Sequence, residues 1–182
     1  MCATEYNLGR HCGVTFAGIK PASLFTIKEE EKGTLKGFAK KFRTKGFVFV
    51  PMKVLKGKRL FYVYHRKYLE KILCTACNRL FLEEYGYVYK TSTEAVSILK
   101  RRLQQDSFPH EIGIFLGYPL EDVQGFIAEP KATSKICGYW KVYHNVDEKQ
   151  KLFERFKKCT DCICRRMHEG QSLTEIFQIK TT

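Results

Sequence analysis

The sequence predicts an α+β fold, a small and mostly antiparallel sheet with helices packed mainly on one face and a helical C-terminal part. Three observations carry the prediction. Runs rich in Phe, Tyr and Val, with turn residues between them, lie mostly within the first 65 residues. Apolar residues recurring every three to four positions dominate the chain after Arg66. The order of these segments lacks the regular strand–helix alternation of a doubly wound sheet. At 182 residues and 44% hydrophobic composition, there is apolar material for a core and length for one domain. The expected organisation is a single domain over residues 1–182, with a helical sub-part from about residue 92.

The elements follow in order. The stretch up to about Pro21 reads as irregular, with glycines at 9, 13 and 18. Lys20 precedes proline and is therefore biased to extended backbone. Leu24 to Ile27 reads as a short strand. Glu29 to Lys45 predicts an amphipathic helix with Leu35, Phe38, Ala39 and Phe42 on one face and Gly46 as its stop. Phe47 to Leu55 and Leu60 to Tyr64 predict a hairpin through the turn at Lys56-Gly57-Lys58. Pro51 cannot donate to a ladder, which places its strand at an edge or at a bulge.

Arg66 to Tyr85 reads as helical with a break near Cys74 and an end at Gly86. Thr91 to Glu94 has capping-box spacing, and the helix it opens runs to about Gln105 with Val96, Leu99 and Leu103 inward. Ile112 to Gly117 and Leu120 to Ala128 form two short helices around Tyr118-Pro119. Glu129 to Ile136 is a loop, and Gly138 to Tyr143 alternates like a strand. Asp147 caps a long helix to about Gly170, with Leu152, Phe156, Cys159, Ile163 and Met167 on its buried stripe. A tail helix starts at Ser172.

Charge is unevenly placed. The formal net charge is +13, and no acidic residue lies between Glu31 and Glu70. That stretch contains Lys32, Lys36, Lys40, Lys41, Arg43, Lys45, Lys53, Lys56, Lys58, Arg59, Arg66 and Lys67, interleaved with phenylalanines and tyrosines. Basic residues with aromatics can hold nucleic acid by phosphate contacts and stacking. Lys40, Lys41, Arg43, Lys56, Lys58 and Arg59 are the candidate contacts. The plainer alternative is a solvated lysine face over an aromatic core.

Eight cysteines with no secretory signal read as reduced thiols. No apolar run approaches a membrane span, so a cytoplasmic location without membrane contact is expected. Cys74 with Cys77, and Cys159 with Cys162, have two-residue spacers. They fall inside expected helices and far apart, so no metal site is assigned.

Distinctive segments are His11-Cys12 with Thr15, Gly18-Ile19-Lys20-Pro21, and Pro109-His110-Glu111-Ile112-Gly113, followed by Gly117-Tyr118-Pro119, Gly138-Tyr139-Trp140 and Lys157-Lys158-Cys159. Together they resemble an uncharacterised bacterial family common in anaerobes, domain of unknown function 3793. The resemblance implies a cytoplasmic single domain and no established activity. Its motifs contain reactive side chains. A thiol needs a base or cation nearby to become a nucleophile. Cys12 as thiol, His110 as base, Glu111 as its orienter and Lys20 as anion contact would form a pocket for an anionic small molecule. Tyr118, Tyr139 and Trp140 would line it. The alternatives are a nucleic-acid module on the basic region and an interaction domain without catalysis. Neither the cofactor nor the oligomeric state is legible in the sequence.

Overall fold

The computed structural model describes residues 2–130 and 133–179. The fold is α+β. The described chain divides into two compact units, one running up to Lys67 and resuming at Phe156, the other spanning Tyr68–Arg155.

The first unit is built on a three-stranded antiparallel sheet of order β1-β3-β2, with β1 at Ala22–Lys28, β2 at Phe47–Leu55 and β3 at Lys58–His65. The central strand β3 is buried on both faces, because Phe61, Tyr62, Val63 and Tyr64 are all at most 8% exposed. The β2–β3 turn is tighter than the sequence suggests. Only Lys56 (φ 47°) and Gly57 (φ 75°) form it, both in the left-handed region. Two such residues match the right-handed twist of the flanking strands. Strand β2 lies at the edge, and its register shifts between Pro51 and Val54, which accommodates a residue with no N–H to donate.

The opening segment is not irregular. Helix α1 spans Ala3–Phe16. The glycines that suggested a loop are contact points instead. A Cβ on Gly13 would sit 2.6 Å from the Ile163 side chain, and one on Gly9 would sit 2.9 Å from Leu173. Glycine at i and i+4 lets two backbones approach closely, a need that sequence statistics for glycine do not convey. The apolar side of α1, Leu8, Cys12 and Phe16, joins Phe25, Ile27, Phe61 and Val63 of the sheet in one core. Glu5 anchors the C-terminal segment by accepting the Leu173 N–H at 2.8 Å.

A 3-10 turn at Glu29–Glu31 precedes α2 (Lys32–Arg43). Leu35 and Phe42 are buried on the inner face of α2, with Phe38 packed partly beside them. Gly46 (φ 86°) follows the helix and turns the chain into β2.

The second unit holds α3 (Arg66–Leu73, from its third residue), α4 (Ala76–Glu84), α5 (Ser92–Arg102), α6 (Ile112–Phe115) and α7 (Leu120–Ala128). The break near Cys74 and the stop at Gly86 (φ 80°) are where the sequence placed them. Thr91 Oγ1 caps α5 by accepting the Glu94 N–H, and Val96, Leu99 and Leu103 point inward. Gly113 meets Val123, whose Cγ2 lies 2.6 Å from a built Cβ, so α6 and α7 touch through a small residue.

The segment expected as one strand, Gly138–Tyr143, is a minimal hairpin, with β4 at Ile136–Cys137 and β5 at Lys141–Val142. The chain folds back at Gly138, where a Cβ would lie 2.5 Å from the Phe153 ring. Of the loop expected over 129–136, residues 131 and 132 lie outside the described residues. Helix α8 (Val146–His168) runs through the boundary between the units, starting one residue before Asp147. Asp147 therefore sits in the first turn, where its charge complements the helix dipole. The last helix, α9 (Leu173–Ile176), opens with a complete Ser172–Glu175 capping box.

Candidate anion-binding track on the first unit

Three clefts lie in series where α2 runs beside the edge strand β2. The first, about 480 Å³, is lined by Arg43, Lys45, His65, Arg66 and Lys67 around Gly46, Phe47 and Val48. The second, about 410 Å³, shares Arg43, Phe47, Val48 and Arg66 with it and adds Lys40 and Phe49. The third, about 320 Å³, shares Ala39 and Phe49 with the second and adds Lys32, Lys36, Arg59 and Phe61. No carboxylate lines any of the three.

This placement follows from the local sequence. The apolar stripe of α2 turns inward, which sends Lys36, Lys40 and Arg43 to its outer side at one cation per turn. The first cleft is held by backbone. Arg66 N–H donates to Gly46 O at 3.0 Å, and His65 N–H donates to Pro21 O at 2.9 Å. The His65 ring packs edge-on against Phe47 at 5.0 Å, and its burial lowers its pKa.

Among the described residues, Lys36, Lys40, Arg43, Lys45, Arg66 and Lys67 form no ion pair. The far end differs, because Glu29 bridges both Lys32 and Arg59. Uncompensated positive potential therefore concentrates toward the Arg43 end.

Of the basic residues selected from sequence, Lys40, Arg43 and Arg59 line the clefts. Lys41, Lys56 and Lys58 are exposed and outside the linings given above. Lys45, Arg66 and Lys67 were visible in the sequence only as members of the acid-free stretch. The interleaved aromatics are mostly core. Phe42, Tyr62 and Tyr64 are at most 1% exposed, and Phe49 is half-buried.

The reactive residues stand elsewhere. Cys12 belongs to the first unit and is fully buried on α1, where burial pushes its thiol pKa well up against the opposing pull of Lys20. Lys20 is close enough for that interaction, and burial lowers its own pKa to about 8. His110 and Glu111 belong to the second unit. His110 is exposed, with its ring edge-on to Phe126 at 4.9 Å. Glu111 is 1% exposed and is bonded by the Arg102 guanidinium and by the Tyr87 hydroxyl at 3.0 Å, so its carboxylate is already engaged. The Arg102 guanidinium also lies over the Tyr85 and Tyr87 rings.

Tyr118 stacks on Trp140 at 4.7 Å, and burial pushes its hydroxyl up to about 12. Tyr139 is 41% exposed beside Phe153. The centre of this cluster is Asp122, 2% exposed, which accepts the Trp140 indole N–H at 2.8 Å, Tyr143 N–H at 2.8 Å and His144 N–H at 3.3 Å. Its sequence context, an acidic residue in the first turn of a short helix, reads as solvent-facing. Only the fold turns it inward.

Among the described residues, no group of three or more His, Cys, Asp or Glu side chains is placed to hold a metal ion. Nor is any helix long and apolar enough to cross a membrane. No curated protein and no solved structure matches the chain. Residues 8–177 match the family described as Protein of unknown function (DUF3793), and the chain belongs to that family.

Proposed function

We propose that the first unit binds phosphate-bearing anions through the cleft at the Arg43 end of the track. The observation that carries this reading is the convergence of Arg43, Lys45, Arg66 and Lys67 on one cleft with no carboxylate in its lining. Guanidinium groups suit phosphate because their planar fork donates two parallel hydrogen bonds. A concave wall also makes each charge more effective than it would be on open surface.

The basic cleft is favoured over the buried thiol as the binding site for a simple reason. A thiol held protonated by its surroundings is a poor nucleophile. The cleft cations Arg43, Lys45, Arg66 and Lys67, by contrast, are exposed and form no ion pair among the described residues.

The test is a titration of isotope-labelled protein with inorganic tripolyphosphate. The expected shifts concentrate at the amides of Arg43, Lys45, Gly46, Arg66 and Lys67, and fall at least tenfold in apparent affinity in Arg43→Gln/Arg66→Gln. Shifts scattered over all lysines, or unchanged in that variant, would overturn the reading.

A further inference from the structure

We infer that the ligand of this track is a single nucleic-acid strand, held by its phosphates with little regard to base sequence. The inference rests on the anion-binding reading above and adds the class of ligand.

Shape is the first argument. A compact anion needs one cleft, whereas here three adjoin, the first and second sharing four lining residues and the second and third sharing two. The track follows α2, whose 12 residues span about 18 Å at 1.5 Å each. Each phosphate of one strand advances about 3.4 Å along the axis when the bases stack and more when the strand is extended, so the track suits roughly three to five of them.

Spacing is the second. Lys36, Lys40 and Arg43 recur at four and three residues along the helix, so cations arrive about once per turn, roughly every 5 Å. A point-like ligand gains nothing from such a row, but a chain of regularly spaced charges does. The row weakens where Glu29 holds Lys32 and Arg59, which sets the far limit of the footprint.

The third is what the lining lacks. Beside Arg and Lys, which serve phosphates as well as guanine, base edges are read by Asn, Gln, Asp and Glu, and none of these four lines the three clefts. Phe49, half-buried and shared by the second and third clefts, offers an apolar surface on which any base can rest. A cationic row beside one accessible ring describes a sequence-tolerant single-strand binder.

The test uses the full chain and fluorescein-labelled oligothymidylates of 2, 4, 8 and 12 nucleotides, with a 12-base-pair duplex and poly-glutamate as competitors. Affinity is expected to rise at least tenfold from 2 to 8 nucleotides and to flatten beyond. The 8-mer should show a log–log salt slope near −3, that of about four phosphates neutralised on a single strand. Lys36→Gln/Lys40→Gln should weaken the 8-mer at least fivefold while leaving tripolyphosphate shifts at Arg43 and Arg66 in place, with far-UV circular dichroism verifying the fold. Oligoadenylate should bind within threefold of oligothymidylate. Length-independent binding would overturn the strand and leave the small-anion reading standing. Equal competition by poly-glutamate would make the partner an acidic protein, and tighter binding of the duplex would make it double-stranded nucleic acid. Either result overturns the inference. Loss of tripolyphosphate binding as well would overturn both.

Discussion

Replacing Asp122 removes a buried carboxylate that closes three hydrogen bonds, to the Trp140 indole and to the Tyr143 and His144 amides. A hydrogen bond to a charged group contributes about 1.5–3 kcal/mol, and stranding its buried partner adds to the loss. Two of the three contacts are 2.8 Å and the third is 3.3 Å, so the third counts for less. Asp122→Ala is therefore expected to cost about 3–5 kcal/mol, a large fraction of the roughly 5–15 kcal/mol that holds a domain together. Asp122→Asn keeps one acceptor but turns an amide donor toward another donor, so about 1–3 kcal/mol is expected. Urea denaturation followed by tryptophan fluorescence is the assay. Trp140 is the chain's one tryptophan, so the signal comes from the site itself. In a double-mutant cycle followed by far-UV circular dichroism, since Trp140→Phe removes the fluorophore, Trp140→Phe should recover part of the Asp122→Asn loss, because the competing donor is then gone. If Asp122→Ala unfolds within about 0.5 kcal/mol of the parent, a range typical of neutral surface changes, the hub argument is wrong.

Three further expectations rest on how individual side chains are packed and buried. Gly13→Val forces a side chain into Ile163 across the α1–α8 contact and should cost about 1–3 kcal/mol or more in thermal or urea unfolding, whereas Gly37→Ala, facing open space, should be neutral or stabilising. Thiol labelling of the native protein should modify the exposed Cys2, Cys74, Cys77, Cys137 and Cys162 first. Cys12 should react only under unfolding conditions, and rapid native labelling there would contradict its burial. Lys20 has a pKa lowered to about 8 in the folded chain, so from pH 8 to 9 the unfolded chain holds more protons and stability should rise with pH. That rise should be absent in Lys20→Met. Above pH 9 the protonated Cys12 opposes it, since the unfolded chain then loses a proton that the folded one keeps.

The legible parts of the fold are those whose signal is local. The apolar stripe of α2, the Thr91 cap, the helix start at Ser172, the breaks at Cys74 and Gly86, and the turn around Gly57 each depend on a few adjacent residues, and each is read from them. Helix α1 was missed because its glycines answer to Ile163 and Leu173, about 150 residues away in sequence. The hairpin at Gly138 was missed for the same reason, its partner being the Phe153 ring.

The candidate site divides the same way. The sequence by itself determined that twelve positive charges with no acid among them must share one stretch, and that some anion would find them favourable. Which cations line one surface was decided by tertiary structure, because β2 must run beside α2 before Lys45, Arg66 and Lys67 can join Arg43. Folding likewise decided that Cys12 is solvent-free and that Glu111 serves Arg102 and Tyr87. Charge is a property of composition, but a charge's neighbours, its solvation and hence its chemistry are properties of distance, which only the folded chain fixes.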